Sequence, residues 1–310
     1  MRLLRRLVIV VYFTVAAMPL AWLVVTSLKS KDDAIGSQPK IVPVPWANTR
    51  FAPTEETPAR MAEETAARTA GADERGVCFP ASLDAYRRLN LPHAGTDHSF
   101  YHYLANSLVI GLLSTLCAVA LGTSCAYGFS RFRIAGSSDW LFFILSTRFL
   151  PPLAVVAPVL MMYRQFDLQN THLGLIILYT AFNLSLAVWL MKGFIDDIPR
   201  AYEEAALVDG YSRLHVFWKI VVPHAATGMA VTAVFCLISA LNEYGFAMAL
   251  NNSGAVTVPV YFAGLQGNIQ GVPWPQVAAG ALLFVIPVAV FTVIVRKHLL
   301  RGVTFGTIKQ

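Results

Sequence analysis

The sequence predicts an all-α integral membrane protein with six transmembrane helices, a cytoplasmic helix–turn–helix between the fourth and fifth of them, and an enlarged first external loop. Two observations predict this fold class. The 310 residues are 56% hydrophobic and 14% charged, with a mean hydropathy of +0.55, which is far more apolar than a soluble domain. The apolar residues are also concentrated in six stretches that are each long enough to cross a bilayer as a helix.

The six predicted spans are residues 7–28, 104–129, 140–163, 173–195, 225–250 and 277–295. The first follows Arg2, Arg5 and Arg6, as a signal peptide would. However, its apolar stretch of 22 residues exceeds the usual ~7–15 of a signal peptide, and no small-x-small cleavage site precedes Lys29. We therefore interpret it as an uncleaved first span.

The basic residues of the short loops orient the chain. They cluster at both termini, after the second span and around the segment between spans four and five, whereas residues 251–276 contain no Lys or Arg and the other short external loop holds only Arg164. By the positive-inside rule the N- and C-termini are cytoplasmic. The bases counted are Arg2, Arg5, Arg6, Arg131, Arg133, Lys192, Arg200, Arg213, Lys219, Arg296, Lys297, Arg301 and Lys309.

Two parts of the chain follow from this topology. Residues 1–103 hold the first transmembrane helix and a long periplasmic loop, and residues 104–310 hold a five-helix core with a polar segment at about 196–223 and a cytoplasmic tail. Within the loop, Thr57-Pro58 predicts the start of a helix that ends near Thr69, and residues 82–88 predict a second capped helix.

The segment at about 196–223 predicts two short helices outside the bilayer. Pro199 suits a helix start, residues 200–208 are good helix formers, and Gly210 is the residue that a helix stop favours. A second short helix is expected from about Ser212, and Pro223 is expected to mark the entry to the fifth span.

Polar residues inside the predicted spans are candidates for a transport pathway, because a charge within a membrane is costly and is usually functional. Glu243 is twenty residues beyond Pro223, or about 30 Å along a helix, near the external end. It could instead reach external water or a subunit interface. The second candidate is Arg148, which could instead snorkel to the cytoplasmic interface rather than line a pore. The other candidates are Asn183, Asn242 and Tyr244.

The spacing of the polar segment resembles the coupling loop of the permeases of ATP-binding-cassette (ABC) importers. The matching residues are Glu204-Ala205-Ala206, Gly210, Ile220, Val222 and Pro223. Four further stretches look like the carbohydrate-importer, maltose-type branch of that family: Arg148-Phe149-Leu150-Pro151-Pro152, residues 167–176, Asn242-Glu243-Tyr244 and residues 296–302. The likeness covers about residues 82–310.

The resemblance implies a permease subunit that forms half of the pathway for a sugar or polyol in a bacterial inner (plasma) membrane. It implies a second homologous permease, two cytoplasmic ATPase subunits, a periplasmic or lipid-anchored solute-binding protein and membrane lipids as partners. The residues that it assigns to contact with the ATPase are Glu203, Glu204, Ala205, Ala206, Asp209, Gly210 and Pro223.

Other functions are disfavoured or remain as alternatives. The sequence has no G-x-x-x-x-G-K-[ST] motif, so ATP and Mg are expected on the partner ATPase rather than on this chain. No catalytic constellation, metal-ligand spacing or basic–aromatic cluster for nucleic acid is found. An importer for a different solute is one alternative. A second is an ion-coupled secondary transporter that uses Glu243 with Asn242 as co-ligand.

Overall fold

The computed structural model describes residues 2–30, 34, 42–44, 78–92, 97–149, 151–266 and 271–305. Within these residues the chain is almost entirely helical, with one pair of three-residue strands. The elements are α1 Arg2–Ser27, β1 Val42–Val44, β2 Cys78–Pro80, α2 Asp84–Leu89, α3 Phe100–Arg131, α4 Ser137–Ser146, α5 Pro152–Gln165, α6 His172–Asp196, α7 Ala201–Val208, α8 Arg213–Val216, α9 Val222–Leu241, α10 Gly245–Leu250, α11 Val258–Gln266 and α12 Trp274–Phe305.

The fold class is confirmed. Five helices of the described part are long and apolar enough to cross a membrane, and the number rises to six if one bent pair crosses as a single span. The predicted helix at residues 57–69 lies outside the described residues. Strands β1 and β2 pair in parallel, with Val42 opposite Cys78, and sequence reasoning did not anticipate them.

The third predicted span, residues 140–163, is not a single helix. It consists of α4 with a following 3-10 turn, Thr147–Phe149, and then α5, and the two halves are bent by 92°. Pro151 is extended, with ψ of 126°, because a residue that precedes a proline is disfavoured from the α region and Pro152 has no amide hydrogen to continue a helix. Arg148 therefore lies at a break in the span rather than in a continuous helix.

The fifth span also differs from the prediction of one helix over residues 225–250. The long helix of this predicted span ends at Leu241, and after a break at residues 242–244 a separate short helix, α10, begins at Gly245. At its other end the helix is longer than predicted, since α8, a π-helical turn at Phe217–Val221 and α9 run on as one continuous helix from Arg213 to Leu241. Asn242, Glu243 and Tyr244 thus form the connection between two helices.

The chain forms two compact units. One comprises Met1–Tyr101 with Phe262–Val285, and the other comprises His102–Tyr261 with Ile286–Gln310. The candidate functional residues all lie in the second unit.

In the first unit, the helix predicted at residues 82–88 is present as α2, Asp84–Leu89, but its N-cap residue is Leu83, which makes no side-chain cap hydrogen bond. The Ser82 hydroxyl accepts a hydrogen bond from the amide of Asp84 at 3.1 Å. The Tyr86 hydroxyl donates to Ser27 Oγ at 3.0 Å, and the amide of Ser82 donates to the carbonyl of Leu28 at 2.8 Å. These bonds fix α2 against the end of α1.

In the second unit, small residues of α3 allow close packing against α6. A Cβ added at Gly122 would lie 2.5 Å from Cβ of Ala187, a separation that no pair of side chains adopts. Ser114, Ala118 and Ala126 on the same helix are also buried. Without a hydrophobic driving force between helices in lipid, such close approach is a main source of association.

Gly122→Ala is therefore expected to destabilise the protein, with Gly128→Ala as the matched control on the same helix. A Cβ at Gly128 meets nothing within 4 Å, so both variants gain the same helix propensity but only Gly122→Ala overpacks, at a cost of about 1–3 kcal/mol. Thermal unfolding of the detergent-solubilised protein checks this. Equal melting temperatures for the two variants would contradict the packing.

Candidate functional site

The interfacial segment, residues 196–223, presents one face of α7 outward and buries the other. Glu203 and Ala206 are buried, whereas Glu204, Ala205 and Val208 are exposed. Val208 is 87% exposed, although it is a large apolar residue. The outward face of α7 thus combines a carboxylate, a small side chain and an apolar side chain.

The end of α7 is fixed by Gly210. Its φ is +86°, a left-handed conformation that glycine adopts without the steric cost of a Cβ. The amide of Gly210 donates to the carbonyl of Leu207 at 3.1 Å, and the amide of Tyr211 donates to that of Ala206 at 3.1 Å. This pair of bonds is a Schellman motif, so the helix stop predicted at Gly210 is present and gives α7 a rigid end.

Glu203 is the buried anchor of the interfacial segment. Its carboxylate forms an ion pair with Arg131 at the end of α3, and the two side chains are 8% and 6% exposed. The Tyr127 hydroxyl donates to Glu203 Oε2 at 3.2 Å. Arg131 also donates from Nη2 to the carbonyls of Ile195 at 3.0 Å and Ile198 at 2.9 Å. The ends of α3 and α6 and the start of α7 are thus held by one charged pair.

The second half of the segment leads directly into the fifth span. The ring of Phe217 packs against Tyr127 with centroids 4.9 Å apart, and the Arg213 guanidinium lies 5.3 Å over the ring of Phe132. Pro223 follows the π-helical turn Phe217–Val221. A wider turn accommodates a proline that lacks an amide hydrogen within a continuous helix. Pro223 therefore lies within a continuous helix, and its position at the entry to the membrane stays a prediction.

The second candidate site is the membrane cavity, a space of about 200 Å³ between the broken third and fifth spans and α6. Three of the predicted pathway residues line it, namely Arg148, Asn183 and Glu243. Sequence reasoning missed Tyr179 and Ser239, which also line it. Both are common residue types inside an apolar helix, so only the positions of the two span breaks could have indicated them.

Glu243 caps α10. Its Oε1 accepts from the amide of Phe246 at 2.9 Å, and its Oε2 accepts from the amide of Ala247 at 3.1 Å. The Tyr179 hydroxyl donates to Oε2 at 3.0 Å. Amide groups of a first helical turn have no partner within the helix, so the carboxylate satisfies two of them and ties the break in the fifth span to α6.

The described residues satisfy only part of the hydrogen-bonding capacity of Arg148 and Asn183. Arg148 donates to the carbonyl of Phe182 at 3.3 Å and to Ser239 Oγ at 3.2 Å, and no carboxylate of the described residues forms an ion pair with it. Asn183 donates to the carbonyl of Cys236 at 3.3 Å. Its Oδ1 is buried and receives no hydrogen bond from the described residues.

The two remaining pathway candidates point elsewhere. The side chain of Asn242 is exposed and donates to the carbonyl of Ile238 at 2.8 Å. The Tyr244 hydroxyl contacts the sulfur of Met248, one turn further along. Neither residue lines the membrane cavity, although both flank the capping residue Glu243.

Comparison with known proteins identifies the family. Residues 118–305 match the model of the family described as the inner membrane component of binding-protein-dependent transport systems. A trehalose transport system permease of Mycobacterium tuberculosis is 34% identical over 68% of this chain and 77% of its own length. A trehalose/maltose transport system permease of Thermococcus litoralis is 31% identical over 68% of this chain and 76% of its own.

The fold has a counterpart among solved structures. A chain of a bacterial ABC transporter involved in the import of the acidic polysaccharide alginate superimposes with a TM-score of 0.65, at 20% identity, over 95% of each chain. The family match spans more than half of the sequence and includes the interfacial segment and the membrane cavity. The chain is a multi-pass membrane protein that belongs to the family of binding-protein-dependent transport system inner membrane components, the permease subunits of ABC importers.

Proposed function

We propose that this chain forms half of the translocation pathway of an importer for a sugar or polyol. The trehalose and trehalose/maltose permeases to which it is similar support this solute class. In the proposed assembly, a second homologous permease supplies the other half, two cytoplasmic ATPases bind and hydrolyse ATP with Mg, and an external solute-binding protein delivers the solute. This chain contributes no ATP site of its own, which accords with the absence of a P-loop motif from its sequence.

The proposed coupling surface is the outward face of α7 with its turn: Glu204, Ala205, Val208, Asp209 and Gly210. A single observation carries this assignment, namely that α7 is anchored on one face by Glu203 and exposed on the other. The small Ala205 allows a partner to approach closely, and Glu204 offers a charge to it. Ala206 is buried beneath this surface, and Pro223 is exposed in the first turn of α9.

Movement of the ATPase would pass through this surface into the membrane. Because Arg131 holds Glu203 and also binds carbonyls at the end of α6, a force on α7 acts on α3 and α6 together. The continuous helix from Arg213 to Leu241 connects the same segment with the break at Glu243. This arrangement suits the alternating access that a transport cycle needs.

The pathway is proposed to run past the membrane cavity, with Arg148, Asn183 and Glu243 in its wall and Asn242 and Tyr244 beside it. A secondary transporter would instead need Glu243 to exchange a proton or cation. The three hydrogen bonds that Glu243 accepts within the chain account for its carboxylate without a transported ion. They favour the ATP-driven importer.

In the proposed orientation the termini and the interfacial segment are cytoplasmic, residues 1–103 hold the first span and a periplasmic loop, and residues 104–310 hold the permease core with a cytoplasmic tail. The distribution of Lys and Arg in the short loops supports it.

Adjacent glutamates provide a test of coupling. Glu204→Lys reverses an exposed charge and is expected to lower solute uptake at least about tenfold, as like charges across an interface repel, while the importer still assembles. Glu203→Ala leaves the buried Arg131 unpaired and is expected to cost about 3–5 kcal/mol of stability, so less assembled importer is recovered. Uptake assays and quantitation of the purified complex distinguish the two. Normal uptake by Glu204→Lys would refute the coupling surface.

Cysteine labelling tests the orientation. With the parent protein as background, Ala66→Cys should react with an impermeant thiol reagent from outside intact cells, and Ser212→Cys should react only after lysis. Ser212 is exposed, so a lack of reaction in intact cells reports the membrane barrier rather than burial. The opposite labelling pattern would place the interfacial segment outside and remove the ATPase contact.

A further inference from the structure

We propose that the membrane cavity is a subsite for a hydroxyl group of the transported solute, in which Arg148 donates a hydrogen bond and Asn183 accepts one. The subsite selects neutral polyhydroxylated solutes over acidic ones. This inference rests on the proposed function and adds to it the residues of this chain that recognise the solute.

Glu243, the most conspicuous polar residue of the cavity, is not the recognition group. Both of its carboxylate oxygens accept hydrogen bonds from the first turn of α10, and one of them also accepts from Tyr179. A solute that bound this carboxylate would compete with the cap that holds the fifth span at its break. Glu243 is instead a positioning residue that shapes the cavity and contributes negative charge to its wall.

The groups left for a ligand are one acceptor and several donors. Asn183 is 1% exposed, and its Oδ1 has no donor among the described residues. The orientation of this amide follows from its Nδ2, which donates to the carbonyl of Cys236; the reversed amide would place two oxygens together. A guanidinium has five N–H donors, and Arg148 uses two of its nitrogens on neutral acceptors.

A hydroxyl group matches this pair, and an anion does not. A hydroxyl both donates and accepts, so it can satisfy Asn183 Oδ1 and Arg148 together. A carboxylate, sulfonate or phosphate dianion only accepts, which would leave the buried Oδ1 unpartnered at a desolvation cost. An acidic group would also face the carboxylate of Glu243 on the same wall. The positive charge of Arg148 alone would suggest an anion, but its neighbours oppose one.

The size of the cavity sets how much of a solute it accepts. About 200 Å³ is less than the roughly 300–1,000 Å³ of a pocket that encloses a whole drug-sized ligand. The rings of Phe182 and Phe246, whose centroids are 4.8 Å apart, both line the cavity and offer an apolar surface to the carbon side of a sugar ring. The cavity thus suits one end of a solute, and the remainder would lie outside it.

The test uses the whole importer, reconstituted in vesicles with its own partner subunits. Trehalose and maltose are the neutral probes, and an alginate oligosaccharide is the acidic probe. The measured quantity is the number of solute molecules imported per ATP hydrolysed, because a variant that only weakens assembly lowers transport and hydrolysis together. Asn183→Leu removes the acceptor at similar volume. Arg148→Met removes the donors, Arg148→Gln keeps a donor without the charge, and Arg148→Lys keeps the charge.

The control is Thr180→Val on α6, the helix that carries Asn183. It removes hydrogen bonds to the carbonyl of Ile176 on α6 and to that of Ser114 on α3, and Thr180 does not line the cavity. We expect wild type to import a neutral probe and not the acidic one. Asn183→Leu and Arg148→Met should lower the import of neutral solute per ATP about tenfold, the usual effect of one lost hydrogen bond. Thr180→Val should match wild type, and Arg148→Gln should retain more import than Arg148→Met.

Three results would overturn the subsite. The first is an unchanged number of neutral solute molecules imported per ATP in Asn183→Leu, and the second is preferred import of the alginate oligosaccharide by wild type. The third is full import by Arg148→Lys combined with loss of import in Arg148→Gln, which would indicate recognition by charge. A wild type that imports none of these probes, nor any other sugar or polyol tested in the same vesicles, would refute the sugar-importer assignment itself, and the subsite with it. That result differs from the other three, in which wild-type import is intact.

Discussion

The ion pair between Arg131 and Glu203 is the interaction on which the rest of the permease core depends. A buried charge is stable only when it is paired and hydrogen-bonded, and here the hydroxyl of Tyr127, the carbonyl of Ile195 in α6 and the carbonyl of Ile198 just after it complete the bonding. The pair joins the ends of two membrane helices to the first helix of the interfacial segment. A surface helix is thereby made a rigid extension of the membrane domain, as a transmission element requires.

The broken spans provide the second constraint, because irregular backbone within a membrane domain is tolerated where it is buried or lines a cavity. The third span breaks at its consecutive prolines, and the fifth breaks beside Glu243, which caps the helix that follows. Both breaks border the membrane cavity. Arg148 and Asn183 line this space, and each retains hydrogen-bonding capacity that the described residues do not use, so the features that interrupt the helices also create the polar lining.

The number and positions of most spans were predictable from the sequence, since long apolar stretches have few alternatives. The end of α7 at Gly210 was also predictable, because a helix commonly ends at a residue with a left-handed backbone conformation, and that residue is usually glycine. The separate roles of Glu203 and Glu204 were not predictable from the sequence. They are the same residue type with the same helix propensity, and only the packing of α7 on α3 buries the first and exposes the second. Glu243 was likewise expected within a continuous helix. Its role as a cap depends on a break in that helix, and no proline in the sequence marks the position of the break.

A double-mutant cycle at Arg131 and Glu203 tests the central claim most directly. Arg131→Gln and Glu203→Gln each leave one buried charge without its partner, whereas the double variant leaves two amides that can hydrogen-bond. Thermal unfolding of the assembled importer should show that each single variant is destabilised by about 3–5 kcal/mol and that the double variant is more stable than either. Additive losses in the double variant would show that the two side chains act independently, and would contradict the account of a single charged anchor beneath the coupling surface.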